Sequence, residues 1–357
     1  MNTASSAPPN HRSATLDCIR AIAILAVFFY HVTSRYETSG LDPVAALFAR
    51  YGFLGVDMFF PLSGFLVTRF LIQSREDGIV RTFFLRRFFR IVPLYFVAIA
   101  IYFVASRVVG FDDGIIHRIW INLTFLTGIF IFIDGVSTVP FTITWSLSVE
   151  EFGYILIGAF FWLQRRNMGV ILAAICLLSF LLRAGFLFYD ASDFKSLYYF
   201  PPTRLDSICI GGVVAVLLNN GQRHLLAGIA VLSGVLVGAM ALGAFAFHLF
   251  LFPGIALATS FIIVFFETTR LDLETPAIRL FSRIGFYSYF NYLFQFFNIE
   301  AVLIGYRLVS SEPPPFWLAV LIALCLTQIE AIISYKIFEK PLMRFGRGLE
   351  RRPIGAS

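Results

Sequence analysis

The chain has 357 residues, 58% of them hydrophobic, 17% aromatic and only 14% charged. A soluble domain carries about a quarter charged residues, so the composition excludes a water-soluble enzyme or binding module and points to an integral membrane protein. The net charge is +6, and only Lys195, Lys336 and Lys340 among its 28 basic residues are lysines. Arginine in that excess suits bidentate contacts with phosphate, although genomic bias would produce it too. No nucleic-acid partner is expected.

Residues 1–15, MNTASSAPPNHRSAT, are small and polar, without a cleavage pattern, and read as a disordered cytoplasmic tail. A bilayer span needs about 20 apolar residues. Eleven segments approach that, at 18–34, 52–72, 91–106, 115–133, 144–163, 168–189, 206–218, 225–247, 249–266, 284–305 and 316–338. The loops QSREDGIVRTFFLRRFFR (73–90), QRRNMG (164–169) and 267–283 are rich in arginine, as is the end of the chain, and basic loops mark the cytoplasmic side. Counting from both ends then requires an even number of crossings between 91 and 145. The segment 115–133 is the most polar candidate, with His117, Arg118 and Asn122, and is expected to re-enter or lie along the outer face. The predicted fold is an all-α polytopic membrane bundle of about ten spans plus that one segment. Both termini would be cytoplasmic and the protein multi-pass in the cell (inner) membrane.

No repeat of fixed period and no Pro/Gly/Ser linker divides the chain. The expectation is one membrane domain over 16–345 and a basic cytoplasmic tail over 346–357. The four cysteines, Cys18, Cys176, Cys209 and Cys325, lie in apolar runs without a CxxC pair. They read as small core residues, with no disulfide framework and no zinc site.

Polar groups inside apolar segments are costly and mark functional sites by default. In RAIAILAVFFYH (20–31), Arg20 and His31 are eleven residues apart, about three turns, so they share a face about 16 Å apart along the axis. Arg20 would lie near the cytoplasmic boundary and His31 near the outer one. Taken alone, Arg20 reads equally well as a snorkelling anchor. His248, in AFAFHLFLF, falls at a helix junction and reads as structural. In FFLRRFFRIVPLYF, Arg86, Arg87 and Arg90 present a guanidinium cluster on one helical face. It is an anchor for anionic lipid or a grip for a polyphosphate. TITWSLSVEEFGYIL buries two carboxylates, Glu150 and Glu151, with Glu150, Leu147 and Tyr154 on one face. An ion pair with an arginine of another span competes with a catalytic role there. In PPTRLDSICIGG, Arg204 and Asp206 read as an ion pair fixing a helix start.

These segments together resemble the acyltransferase-3 family of integral membrane O-acyltransferases, the polysaccharide O-acetylase type. The resemblance runs through LDCIRAIAILAVFFYH, GVDMFFPLSGFLVT, FFLRRFFRIVPLYF, TWSLSVEEFGY, TRLDSICIGG, IGFYSYFNYLFQ and SYKIFEKPL, over about residues 16 to 345. It implies that His31 is the essential first-span histidine, that Arg20 pairs with it, and that Arg87 and Arg90 engage the acyl-donor coenzyme. It also implies that Glu150 is the family's glutamate. The family moves an acyl group, usually acetyl from acetyl-CoA, to a hydroxyl facing outward. Two departures stand out. Gln295 occupies a place commonly held by histidine and cannot titrate, and Pro61 replaces an aliphatic residue and would kink its span.

The expected function is therefore membrane O-acyltransfer from cytoplasmic acyl-CoA to a surface glycan, lipid-linked sugar or related acceptor, with polysaccharide-assembly proteins as further partners. His31 would be general base, Glu150 would orient its imidazole, and Arg20, Arg86, Arg87 and Arg90 would hold the coenzyme phosphates. Trp145, Ser146, Tyr154, Arg204, Asp206 and Gln295 have structural or acceptor-side places. Acetyl-CoA is a substrate in this scheme, and no permanently bound cofactor or metal is expected. No G-x-S-x-G supplies a serine nucleophile, since Ser63 has only the trailing glycine. Two other classes fit the same charges: a flippase of lipid-linked glycan, and an inactive structural partner in polysaccharide assembly.

Overall fold

The computed structural model describes residues 14–37, 40–74, 76, 78–109, 114–190, 194–222, 225–269 and 275–350. Of the two expected tails, residues 1–13 and 351–357 lie outside the described residues, while Ala14 and Thr15 belong to the first helix and 346–350 to the last. Among the described residues the regular structure is helical and there is no strand. A bilayer offers the backbone no water, and a helix satisfies its own N–H and C=O groups.

The helices are α1 (Ala14–Thr33), α2 (Pro43–Tyr51), α3 (Gly55–Gln73), α4 (Ile79–Val109), α5 (Trp120–Leu123), α6 (Thr127–Asp134), α7 (Trp145–Gln164) and α8 (Met168–Tyr189). Then come α9 (Phe194–Tyr199), α10 (Leu205–Asn219), α11 (Leu225–Ala239), α12 (Ala244–Thr269), α13 (Pro276–Phe286), α14 (Ser288–Arg307), α15 (Phe316–Ser334) and α16 (Lys340–Glu350). Six helical runs are long and apolar enough to cross a membrane: Ala14–Thr33, Pro43–Gln73, Ile79–Val108, Thr142–Tyr189, Phe245–Thr269 and Phe316–Glu350. Two shorter apolar helices, Leu205–Asn219 and Ala227–Leu242, accompany them. Large apolar side chains such as Trp162, Val170 and Leu178 point outward, as suits a surface bathed in lipid.

The segment 115–133 is no continuous helix. A short 3₁₀ turn, α5 and α6 are separated by Phe125, which adopts φ 58°. Of the polar residues that singled it out in the sequence, His117 is exposed and Asn122 is turned inward. Asn122 is fully buried, and its amide donates to Thr144 Oγ1 at 2.9 Å and to the Pro140 carbonyl at 2.8 Å. Arg118 pairs with Asp134. The candidate 284–305 is also interrupted, at Tyr287, where α13 ends and α14 begins. Pro61 lies inside α3, which continues through it. Cys209 is buried, but Cys325 is exposed on α15, so it is not a core residue.

Tight helix crossings rest on glycine. A Cβ at Gly64 of α3 would stand 1.9 Å from the Ile208 carbonyl oxygen of α10, and one at Gly211 would stand 1.9 Å from the Pro61 carbonyl oxygen. The two backbones touch, as small residues permit in lipid, where packing rather than hydrophobic exclusion holds helices together. Gly285 lets α13 meet α1 equally closely at Asp17.

Two buried ion pairs tie the start of α10 to α3 and α8. Arg204 pairs with Asp57 of α3, and Asp206 pairs with Arg183 of α8 at 2.6 Å. The expected Arg204–Asp206 pair is absent. Residues two apart on a helix point about 200° from each other, so each reaches a different neighbour. Arg183 also donates to the Thr203 carbonyl at 2.6 Å and the Leu249 carbonyl at 3.2 Å. The Arg204 guanidinium lies 3.3 Å from the centre of the Phe252 ring, a cation–π contact that offsets part of its desolvation.

Candidate active site

Five helices converge on a cavity of about 250 Å³. One wall is α4, which carries Arg86, Arg87 and Arg90 within five consecutive residues, and all three side chains line the cavity. Arg20 of α1 lines the cavity beside them, ion-paired with Asp17 at 2.5 Å. From α3 come Phe60, Ser63 and Val67, from α7 Ser146, Leu147 and Glu150, and from α14 Ser288, Tyr289 and Tyr292. The four arginines that the sequence assigned to a phosphate site thus share one cavity.

Besides Arg20, two more of these arginines are held by carboxylates. Glu150 receives Ser63 Oγ at 3.0 Å on one oxygen; on the other it receives the Tyr154 hydroxyl at 2.6 Å and Arg87 at 3.5 Å. Leu147, Glu150 and Tyr154 do share a face of α7, as their spacing predicts. Arg87 lies over the Tyr154 ring, 3.6 Å from its centre. Arg86 forms a two-pronged bond with Glu350 of α16, at 2.9 and 2.8 Å.

Tyr292 of α14 also lines the cavity. Its hydroxyl accepts from Ser146 Oγ at 2.8 Å and donates to the Ile143 carbonyl at 2.5 Å. One turn further along α14, Gln295 is fully buried, and its amide donates to the Tyr292 carbonyl at 3.3 Å. The Gln295 side chain faces the imidazole of His31. Nδ1 of His31 and Oε1 of Gln295 are each buried without a hydrogen-bond partner among the described residues. His31 is not among the residues that line the cavity; Gln295, bonded to the Tyr292 backbone, stands between it and that lining residue along α14.

Two expected partnerships are thereby revised. Glu150 does not orient His31, because it is engaged on the arginine side with Ser63, Tyr154 and Arg87. A carboxylate in apolar surroundings takes the nearest guanidinium and hydroxyls. Nor is Arg20 joined to His31: its ion pair is with Asp17, and three turns of α1 intervene. Trp145 lies behind the cavity wall, edge-on to Phe60 at 6.0 Å and 4.6 Å from the Tyr198 ring. Arg204 and Asp206 belong to the buried ion pairs and do not line the cavity, although Arg204 lies over the ring of Phe60, which does, at 5.4 Å. His248 falls near the start of α12.

Sequence reasoning set Ser63 aside as a nucleophile, and overlooked Tyr289 and Tyr292 in the cavity and Asp57 and Arg183 in the ion pairs. A charge isolated in an apolar run was a usable signal for Asp57 and Arg183. Nothing local separates Tyr292 from thirteen other tyrosines. Among the described residues, no group of three or more His, Cys, Asp or Glu side chains could hold a metal ion.

A family model described as an acyltransferase domain matches residues 13–334. The chain belongs to that acyltransferase family. It is 26% identical over 370 residues to the "Putative O-acetyltransferase" of Staphylococcus aureus (strain COL), covering 95% of this chain and 58% of that protein. It is 28% identical over 221 residues to the "Putative peptidoglycan O-acetyltransferase" of Bacillus subtilis (strain 168), covering 56% of this chain and 32% of that protein. A "Putative acetyltransferase" of Acidianus two-tailed virus is 26% identical over 208 residues, 57% of this chain and 58% of its own. The chain spans little more than half the length of the Staphylococcus relatives it matches. No solved structure matches it. The acyltransferase family and the all-helical apolar fold agree with the reading of the seven motifs.

Proposed function

We propose that the chain is a multi-pass O-acyltransferase of the cell membrane. It would take an acyl group, acetyl in the simplest case, from a cytoplasmic acyl-CoA to a hydroxyl of a surface glycan or lipid-linked sugar. Both termini would be cytoplasmic, on the side of the arginine-lined mouth. The observation that carries this is a cavity lined by four arginines and, reached from its Tyr292 wall through Gln295, a histidine whose Nδ1 is buried without a hydrogen-bond partner among the described residues.

In this scheme Arg20, Arg87 and Arg90 hold the coenzyme phosphates by charge-assisted hydrogen bonds, with Glu150 and Tyr154 fixing the plane of Arg87. The thin arm runs along the cavity past Ser63 and Ser146, and Tyr292 moves aside for the thioester. The acceptor hydroxyl gives its proton to Nδ1 of His31 as its oxygen attacks the thioester carbonyl. The C–O bond forms, the C–S bond breaks, and the proton leaves on the coenzyme thiol. Gln295 is the positioning group for the imidazole. It fixes ring orientation through a hydrogen bond where a titrating partner would also change charge.

The test compares surface glycans and lipids by mass spectrometry from cells making wild-type protein and His31→Ala at equal membrane levels. An acyl mass present with wild type and missing with the variant is the expected result. The same acylation in both would remove His31 from the reaction. Movement of glycan by purified protein without thioester consumption would favour a flippase.

A further inference from the structure

A second and larger cavity, of about 570 Å³, adjoins the first and shares Arg86, Arg90 and Tyr289 with it. Its floor is built where two helices lose regularity. At Phe286–Tyr287 α13 gives way to α14, and Tyr335–Glu339 forms a single π-helical turn between α15 and α16. Such turns bring out side chains that a regular helix would keep in register, and they gather at functional sites.

The chemistry of this chamber is specific. Phe286, Tyr287 and Tyr335 stand mutually edge-on, with ring centres 4.9, 5.7 and 4.9 Å apart and interplanar angles of 80°, 71° and 82°. Rings at right angles expose both a face and an edge to a planar guest. Arg347 of α16 joins Arg86 and Arg90 in the lining, and Glu339, bonded by Ser334 Oγ at 3.1 Å, is its carboxylate. Aromatic faces with guanidinium groups take a nucleobase and its phosphates, and a carboxylate accepts from an exocyclic amine. A smaller cavity sharing three lining residues with a larger aromatic and cationic chamber matches a ligand with a thin arm and a bulky head.

We infer that this second chamber is the seat of the aminopurine nucleotide head of the donor, with Tyr335 stacking on the base and Arg347 on phosphate. The inference rests on the acyl-CoA reading and extends it. It also assigns a role to SYKIFEKPL, which the mechanism leaves unused. An anionic lipid headgroup shares the phosphate chemistry but has no base to stack, so dependence on the Tyr335 ring separates the two.

The experiment titrates full-chain protein in nanodiscs of zwitterionic lipid with adenosine 3′,5′-bisphosphate by calorimetry. Wild type should bind it, and at least about tenfold better than ribose 5-phosphate. Tyr335→Leu should weaken binding about tenfold, Tyr335→Phe should restore it, and Arg347→Gln should weaken it from a different helix. In turnover, Tyr335→Leu should lower the preference for acetyl-CoA over S-acetylpantetheine by a similar factor. Equal nucleotide binding in wild type and both Tyr335→Leu and Arg347→Gln overturns the assignment. So does binding of ribose 5-phosphate as tight as that of the nucleotide, or displacement of the nucleotide by added phosphatidylglycerol. Consumption of acetyl-CoA without bisphosphate binding overturns the chamber and spares the donor reading. Ring-dependent nucleotide binding without consumption of any thioester does the reverse.

Discussion

The guanidinium carbon of Arg87 lies 3.6 Å from the centre of the Tyr154 ring, and the Tyr154 hydroxyl donates to Glu150 at 2.6 Å. Arg87 also reaches that carboxylate at 3.5 Å. The three side chains form a closed triangle. It aims a cation into the cavity while keeping the carboxylate in its half-buried place.

The triangle predicts coupling. Arg87→Ala should raise the KM for acyl-CoA about tenfold or more, the loss of one charge-assisted contact with phosphate. Glu150→Gln should do part of the same by releasing Arg87. Combining the two should cost less than the sum of the single effects, because both remove one arrangement. Steady-state kinetics with purified protein measures this. Strict additivity would mean that Glu150 acts independently of Arg87.

Tyr292 lines the arginine-bearing cavity, and its carbonyl accepts from Gln295, the neighbour of His31. Tyr292→Trp, which enlarges the side chain at this wall, should depress kcat severely while the donor still binds. Tyr292→Phe, which removes the hydrogen bonds to Ser146 and the Ile143 carbonyl, should be much milder. Donor affinity by calorimetry beside kcat separates the two effects. Equal loss of donor affinity in the Trp variant would place the reacting end elsewhere.

At His31 a general-base role sets the scale. His31→Ala should slow transfer by about a hundredfold or more. Gln295→Leu should lower kcat with little change in donor KM, since Gln295 touches the imidazole side and no cavity arginine. A rise in donor KM alone would contradict its positioning role.

The ion pairs of α3, α8 and α10 predict stability rather than activity. Arg204→Met or Asp57→Leu alone should destabilise the fold by about 3–5 kcal/mol, because each leaves a buried charge uncompensated. The double variant should recover much of that loss. Thermal unfolding in detergent tests the cycle, and a double variant as unstable as the sum would refute it.

At the α3–α10 crossing, Gly211→Val should displace the two helices, since even a Cβ there would lie 1.9 Å from the Pro61 carbonyl oxygen. Loss of folded protein on size-exclusion chromatography is the expected outcome. Gly228, around which there is open space, should tolerate the same change.

Apolar composition and the period of the helix made much of this protein legible before any coordinates. Hydropathy is a local property, so the helical class and the limits of α8, Met168–Tyr189, could be read from adjacent residues. The arginines of α4 also share a face by spacing alone. Partners across helices could not be read this way. Arg204 and Asp206 are neighbours in the chain, yet each is neutralised by a charge more than twenty residues away. Glu150 has the right residue type for orienting a histidine, and only packing turns it to Ser63 and Arg87 instead. The broken segment 115–133 shows the same division. Its polarity was visible, but Asn122 faces inward because Thr144 and the Pro140 carbonyl lie within reach. A helix period specifies which side chains share a direction. What stands in that direction depends on how distant segments cross, and in lipid that is settled by glycine contacts and the cost of an unpaired charge.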